Sequence, residues 1–276
     1  MITRFAPSPT GPLHLGHAWA ALVAADHGEM LLRIEDIDRS RVRPRWEAAI
    51  FDDLRWLGLT WPEPVMRQSE RMAAYGAALD DLWAGGLLYP CTCNRRDILA
   101  AASAPQEGSP LLGPDGVVYP GTCRGASRRG TRPDGVALRL DADAVPDLSW
   151  TDGGMPRNMA GDTFRRAIGD PVLARRDMGT SYHLAVVVDD AAQGIDLVTR
   201  GEDLAEATPI HVALQALLTL PTPDYYHHDL VRDGAGKRLA KRDDARALSA
   251  YRDAGWRAAE LIAALRRSRT APTLVA

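Results

Sequence analysis

The chain has little of what holds secreted or membrane proteins together. Its 276 residues include only three cysteines, an odd number that cannot close a disulfide framework and that predicts a reducing, cytoplasmic setting. No uncharged apolar run reaches the roughly 18 residues of a membrane span, and the opening MITRFAPSPTG lacks the apolar core of a secretory signal. Aromatic residues make up 6%, too few for a platform that works by stacking bases. Neither charge sign dominates: 33 basic residues face 36 acidic ones for a net charge of −3. That excludes a general polyanion coat, though not a locally basic surface. A hydrophobic share of 46% excludes a disordered chain. At this length roughly three-quarters of the unfolded surface can be buried without a covalent or metal staple.

What is present reads as alternating strand and helix. Residues 2–5 suit a short strand, 15–26 an apolar helix and 30–34 a buried strand. Residues 43–57 suit an amphipathic helix with Trp46, Ile50, Leu54 and Leu57 at helical spacing. This order predicts a parallel α/β unit. From residue 89 to 146 the texture changes, with all three cysteines set among Gly, Pro and Arg. The stretch reads as an insertion between two halves of one α/β domain, residues 1–88 and 147–276. In the second half, 184–188 is a continuous apolar run of the buried parallel-strand kind, and 195–199 is a further strand. A helix follows over 207–218, with Thr208 at its N-cap or first turn. Residues 225–231 suit a strand, 249–266 one closing helix, and the tail after Ser268 is expected to fray.

Three segments are candidates for chemistry. APSPTGPLHLGH packs three Pro and two Gly between a strand and a helix. A helix N-terminus there offers N–H donors and a positive dipole end to phosphate. His14 and His17, three apart, share one face of the first turn. RIEDIDRSR places Glu35, Asp36 and Asp38 after a buried strand, where ligands of open parallel sheets bind and where a carboxylate can hold an ammonium group. GKRLAKRDD puts several cations on a Gly-flanked loop, suited to a polyphosphate on which charge develops. Taken singly, each also reads as an ordinary turn, charge run or solvated loop.

Together and in order, RFAPSPTGPLHLGH, RIEDIDRSR, RGEDL and KRLAKR resemble the catalytic half of the bacterial glutamyl-tRNA synthetases, a class I family. His14-Leu15-Gly16-His17 resembles the family's HIGH signature. Arg238-Leu239-Ala240-Lys241-Arg242 resembles its KMSKS loop, with Lys241 at the second lysine, Arg238 in place of the first and Ala240 where a serine is usual. The match covers about residues 1–245. The family's C-terminal helical domain, which reads the anticodon of tRNA(Glu), has no room in 276 residues. RGEDL and AVVVDDAAQG are also similar to the family's short paralogues, the glutamyl-queuosine tRNA(Asp) synthetases. That resemblance implies a Rossmann-type class I catalytic domain with a zinc-bearing insertion and no C-terminal anticodon-binding domain. It implies ATP-dependent activation of L-glutamate to glutamyl-adenylate without tRNA. It further implies transfer of the glutamate to the queuosine base in the anticodon of tRNA(Asp), by a cytoplasmic monomer with no membrane partner.

The resemblance also implies roles. Arg4, Phe5, Ala6, Pro7 and Ser8 form the floor of the glutamate site, with Arg4 pairing a substrate carboxylate. Glu35 holds the amino group, Tyr182 lines the amino-acid pocket and Arg200 grips a carboxylate. Two arginines suit a substrate with two carboxylates and disfavour glutamine. His14, Gly16, His17 and Lys241 contact ATP, with Mg²⁺ expected beside it, and in-line attack on the α-phosphorus needs positioning rather than a protein nucleophile.

Cys91 and Cys93 form a C-x-C pair and Cys123 lies 30 residues after Cys93, a set that reads as a structural zinc site. No histidine lies between His27 and His183, so a nearby fourth ligand is an oxygen donor or water. Tyr119 stands where the family has a tyrosine ligand, and Asp115 is the second choice. Arg124, Arg128, Arg129, Arg132, Arg165-Arg166 and Arg175-Arg176 either meet phosphate or simply solvate the surface. Two other functions stay open on this reading. One is glutamyl transfer to a tRNA acceptor end or another carrier. The other is a non-catalytic RNA-binding regulator, for which only Ala240 speaks.

Overall fold

The computed structural model describes residues 1–102, 111–233 and 246–272. In chain order its elements are β1 (Ile2–Phe5), α1 (Leu15–His27), β2 (Glu29–Ile34), α2 (Pro44–Trp56), β3 (Met66–Arg67), α3 (Met72–Ala84), β4 (Leu88–Cys91) and α4 (Arg95–Ala102). There follow β5 (Leu112–Gly113), β6 (Gly116–Val117), β7 (Ala137–Leu140), β8 (Leu148–Asp152), β9 (Met155–Met159), α5 (Gly161–Ala167) and β10 (Val172–Ala174). The last are α6 (Tyr182–Ala192), β11 (Leu197–Gly201), α7 (Thr208–Leu217), β12 (Asp224–His228), α8 (Leu248–Asp253) and α9 (Ala258–Ser268). They fall in two compact units: Met1–Glu70 with Ile195–Asp203 and Tyr225–Ala276, and Arg71–Gly194 with Leu204–Asp224.

The first unit carries the β-α-β-α alternation that the apolar spacing predicts. β1 pairs parallel with β2, Arg4 opposite Leu31, and β2 pairs parallel with β3, Arg33 opposite Met66. Parallel neighbours need a crossover, and α1 and α2 supply the two. Their apolar faces and the strands form one core that includes Leu15, Leu22, Leu32, Ile34, Ile50 and Leu54. β11 lies against β1 through Asp196, whose backbone N–H donates to the Ile2 carbonyl at 3.0 Å. The sequence reading of one closing helix is corrected here. The helix breaks after Asp253 because Gly255 adopts φ +82°, a left-handed conformation that glycine tolerates. Trp256 then packs edge-on against Tyr251, ring centroids 5.9 Å apart, and α9 starts two residues later. The chain after Ser268 is also better anchored than expected. Arg232 N–H donates to the Arg269 carbonyl at 3.1 Å and Ala271 N–H to the Arg232 carbonyl at 2.8 Å.

In the second unit β7 lies between β4 and β10, antiparallel to both. β5–β6 and β8–β9 are hairpins. The run 184–188, read as a buried strand, is the middle of helix α6. An apolar run of that length does not distinguish a buried strand from a helix buried all round. Ser181 decides: its hydroxyl accepts from the Leu184 backbone N–H at 3.3 Å as an N-cap. Residues His183 to Val187 are all buried, as are Asp190 and Asp189, so no solvent-facing polar stripe marks the run as a helix. The Asp189 carboxylate accepts from Tyr75 at 2.8 Å and Arg71 at 3.0 Å. Smaller shifts concern β11, which starts at Leu197, and β12, which ends at His228. Thr208 is a first-turn residue beside Pro209, after an Ala207 cap.

One charge in the first unit is poorly placed. Asp53, on the inner side of α2, is 3% exposed. Burial raises its carboxyl pKa to about 6, with Asp52 adding to the rise and Arg252, 3.4 Å away, opposing it. The folded state therefore holds this proton more tightly than the unfolded chain does. Stability falls as pH rises from about 4 to 6, reaching a cost of up to about 3 kcal/mol above that window. Asp53→Asn is expected to raise the urea-unfolding free energy at pH 8 by about 1 to 1.5 kcal/mol more than at pH 5. An equal effect at both pH values would contradict this account.

Candidate active site and cysteine cluster

The turn between β1 and α1 is built by its own backbone bonds. The Glu35 N–H donates to the Pro7 carbonyl at 3.1 Å and the Arg43 N–H to the Pro9 carbonyl at 3.2 Å. The floor residues Phe5 to Ser8 are thereby strapped to the chain that leaves β2. At the helix start two imidazoles replace the usual Ser–Glu capping pair. His14 Nδ1 accepts from Gly16 N–H and His17 Nδ1 accepts from His14 N–H, both at 3.1 Å, and the rings lie 3.8 Å apart. A neutral imidazole that accepts at Nδ1 carries its proton on Nε2. Both rings are thus fixed as Nε2–H donors at a helix N-terminus, the arrangement that suits a phosphate or ribose oxygen. Leu13, next to His14, accepts from Leu248 N–H at 2.8 Å, so the chain following the basic loop returns to this turn. The basic loop itself, with Arg238, Ala240, Lys241 and Arg242, lies outside the described residues.

Arg4, Glu35 and Arg200 all belong to the first unit. Arg4, buried on β1, donates from Nη1 to the Thr199 carbonyl at 3.0 Å, the residue before Arg200. Arg200, buried on β11, donates from Nε to His227 Nε2 at 3.1 Å and lies over the Tyr225 ring at 5.3 Å. Glu35 follows β2, 3.9 Å from the buried Arg33 guanidinium. His227 and Tyr225, which fix the Arg200 plane, escaped the sequence reading. Their alternation along a strand was the only signal. Tyr182 begins α6 in the second unit, its ring 5.5 Å from that of His183.

The second unit gathers the three cysteines. Cys91 ends β4, Cys93 follows, and Cys123 arrives from a turn, with all three sulfurs within 4.8 Å of one another and Cys93 and Cys123 3.5 Å apart. A tetrahedral zinc with bonds of about 2.3 Å needs sulfurs about 3.8 Å apart, so the set fits that ion. The Tyr119 hydroxyl stands 3.4 Å from the sulfurs of Cys91 and Cys93 and accepts from Cys123 N–H at 2.9 Å. Burial works to raise the Cys123 thiol. Hydrogen bonds from Tyr119, the Thr92 backbone and the other two thiols outweigh it and bring the group down to about 6, toward the thiolate a metal needs. Asp115, the second choice for the oxygen ligand, is engaged elsewhere. Its carboxylate meets His183 Nε2 at 2.9 and 3.0 Å, while His183 Nδ1 meets His211 Nε2 at 3.0 Å. Sequence separations of 68 and 28 residues hid this chain, which runs from an exposed carboxylate to two buried imidazoles.

A model of the catalytic domain of class I tRNA synthetases (E and Q) matches residues 1–273. The chain belongs to this class I synthetase family. It is 61% identical to the glutamyl-Q tRNA(Asp) synthetase of Rhodobacter capsulatus, over 95% of this chain and 98% of that protein. It is 42% identical to the glutamyl-Q tRNA(Asp) synthetase of Geobacter sulfurreducens, over 92% and 79%. Among solved structures, a glutamate tRNA ligase from Elizabethkingia meningosepticum in complex with its amino acid aligns with a TM-score of 0.68 at 26% identity. That alignment covers 88% of this chain and 52% of the ligase, so the chain spans about half the length of that relative.

As a class I synthetase of this family the chain is a ligase on an α/β catalytic fold. No helix among the described residues is long and apolar enough to cross a membrane. Several of the arginines singled out in the sequence pair with carboxylates of the chain itself. Arg124 grips Asp170 at 2.7 and 2.8 Å, Arg128 meets Asp141 at 2.6 Å, and Arg132 meets Asp80 at 2.7 Å. Arg165 meets Asp162 at 3.1 Å and Arg175 meets Asp177 at 3.0 Å.

Gly16 is needed in the synthetase because the His14 ring folds over it. A Cβ there would stand 2.9 Å from His14 Cε1 and 3.1 Å from Nδ1. Gly16→Ala gains up to about 1 kcal/mol of helix propensity and loses about as much in capping. We expect its melting temperature to stay within about 3 °C of the parent. Glutamate-dependent ATP–pyrophosphate exchange should fall at least about tenfold as the His14 donor is displaced. Undiminished exchange would remove His14 orientation from the site.

Proposed function

We propose that this synthetase activates L-glutamate with ATP, without tRNA, and transfers the glutamyl group to the queuosine base in the anticodon of tRNA(Asp). The observation that carries this reading is the 61% identity along 98% of a glutamyl-Q tRNA(Asp) synthetase. The site chemistry supports its first half. Two buried guanidiniums, Arg4 and Arg200, suit the two carboxylates of glutamate, since planar forks match carboxylates bidentately. Glu35 supplies the countercharge for the ammonium group, above a floor formed by Phe5, Ala6, Pro7 and Ser8. The role of Tyr182 in the amino-acid pocket rests on the motif match alone.

The α-carboxylate oxygen attacks the α-phosphorus of ATP in line. A P–O bond forms as the bond to pyrophosphate breaks, giving glutamyl-adenylate. His14 and His17 donate from Nε2–H to the nucleotide beside the Gly16 amide. Lys241 neutralises charge on the leaving pyrophosphate, and Mg²⁺ is expected with the ATP. In the second step an acceptor hydroxyl attacks the acyl carbon, an ester forms and AMP leaves. A zinc held by Cys91, Cys93, Cys123 and Tyr119 would order the loops of the second unit and stand apart from this chemistry. Reduced thiols of this kind suit a cytoplasmic enzyme. The partners are ATP, L-glutamate and queuosine-containing tRNA(Asp), and the working state is a monomer.

Labelled glutamate and ATP, offered with tRNA from cells that make queuosine and from cells that cannot, test the proposal. Label is expected on tRNA(Asp) from the first pool only, with ATP–pyrophosphate exchange proceeding in the absence of tRNA. Equal labelling of both pools, removed by trimming the 3′ end, would instead establish an acceptor-end synthetase. Glu35→Ala should lower the exchange rate by one to two orders of magnitude, the worth of about 1.5–3 kcal/mol for a hydrogen bond to a charged group. Full activity in that variant would overturn the amino-group assignment.

A further inference from the structure

Arg139 is a buried cation in unusual company. It lies on β7, opposite Tyr89 of β4, and is 8% exposed. Its Nε donates to Cys91 Sγ at 3.3 Å and its Nη1 donates to the Asp170 carbonyl at 2.7 Å. The guanidinium carbon stands 3.8 Å from the centre of the Tyr119 ring. Among the described residues no carboxylate lies within ion-pair distance of it: the Asp170 side chain is taken by Arg124, Tyr89 and the Ala142 amide. A guanidinium does not shed its proton in a protein, and a buried charge without a counter-ion is costly. Asp115 feels the Arg139 charge, but its carboxylate is held by His183, so the anion in direct contact with Arg139 comes from what it touches, a cysteine sulfur and a tyrosine. Metal-bound cysteines are thiolates. A zinc with three thiolates carries one net negative charge, or two if the tyrosine oxygen binds as phenolate. That excess sits where the guanidinium is.

We propose that Arg139 is the counter-ion of the cysteine cluster, a positioning residue that offsets the thiolate charge around the metal and holds Tyr119 in place through its ring face. The inference rests on the reading of Cys91, Cys93, Cys123 and Tyr119 as a zinc site. It adds that the affinity of that site is set from β7, by a residue that is not a ligand.

The test measures zinc affinity of the full chain by competition with a chromogenic chelator, together with the sulfur-to-metal charge-transfer absorption of the cobalt-substituted protein. The parent is expected to bind one equivalent. Arg139→Met, which keeps bulk and removes charge, should bind about 10 to 100-fold more weakly, the usual cost of losing an outer-shell partner. Arg139→Lys should recover most of that loss. In a Tyr119→Phe background the Arg139→Met effect should shrink, since part of it acts through the ring and its oxygen. Arg139→Met binding as tightly as the parent overturns the inference alone. Should Arg139→Met not fold, Arg139→Lys decides: a lysine variant that loses zinc more than about tenfold shows that charge is not what Arg139 supplies. A parent that takes up neither cobalt nor zinc overturns the zinc reading and this inference with it.

Discussion

The carboxylate of Asp170 ties together the parts of the second unit that the cysteines come from. Buried to 1% exposure, it accepts from Arg124 through both oxygens, from the Ala142 amide at 3.0 Å and from the Tyr89 hydroxyl. Each of these donors lies next to something the site needs. Tyr89 is two residues before Cys91, Arg124 is the residue after Cys123, and Ala142 follows the end of β7. The Asp170 backbone carbonyl adds Arg139, which leads back to Cys91 and Tyr119. A buried carboxylate with all its lone pairs used rigidifies what surrounds it, whereas one left half-satisfied would be destabilising. Two chain segments about 30 residues apart thus meet at sulfur-to-sulfur distances that suit one ion, before any ion contributes its own binding energy.

The first unit solves a different problem, how to hold donors at the ends of parallel strands without a rigid element to carry them. β2 runs two residues past the Phe5–Leu32 pair that closes β1, and single backbone bonds then tie the chain beyond the strands, Glu35 to Pro7 and Arg43 to Pro9. Those bonds hold a loop rich in proline, where few residues can pair. The two histidines then close the first turn of α1 on each other and on Gly16. Their orientation is set by the backbone, and binding need not supply the entropy of fixing them.

Legibility of the sequence followed the range of the interactions. Period-3.6 and short apolar runs are local signals, so β1, α1, β2 and α2 stood out from Ile2, Trp46, Ile50 and their neighbours. The same logic misread 184–188, because a helix buried all round loses its polar stripe. Only the short-range cap at Ser181 separates it from a strand. The closing helix was overextended because one glycine, Gly255, carries the break. The cysteines and Tyr119 were legible as a set, but their countercharge was not. Arg139 looks on paper like any strand arginine, and the Asp115–His183–His211 chain joins residues from three separate segments. The basic-residue pairs were ambiguous for the same reason. Whether an arginine faces phosphate or an aspartate 46 or 52 residues away is decided by tertiary contact.

The arginines of this chain stand in three kinds of setting, and the partner distinguishes them. Where the partner is a carboxylate, as for Arg124, Arg128 and Arg132, the charge is balanced internally and the residue acts as a strut. Exposed versions of such pairs add little stability, while the buried Arg124–Asp170 pair fixes geometry. Where the guanidinium is buried and aligned by a carbonyl, as in Arg4, or by an imidazole and a ring face, as in Arg200, those contacts help to set its orientation. Arg139 is the intermediate case, buried and aligned like the second group yet aimed at sulfur. The same physical rule, that a buried cation must find its anion, ties the first group to the fold and the third to the cysteine cluster, while the second group is the one proposed to meet the amino acid.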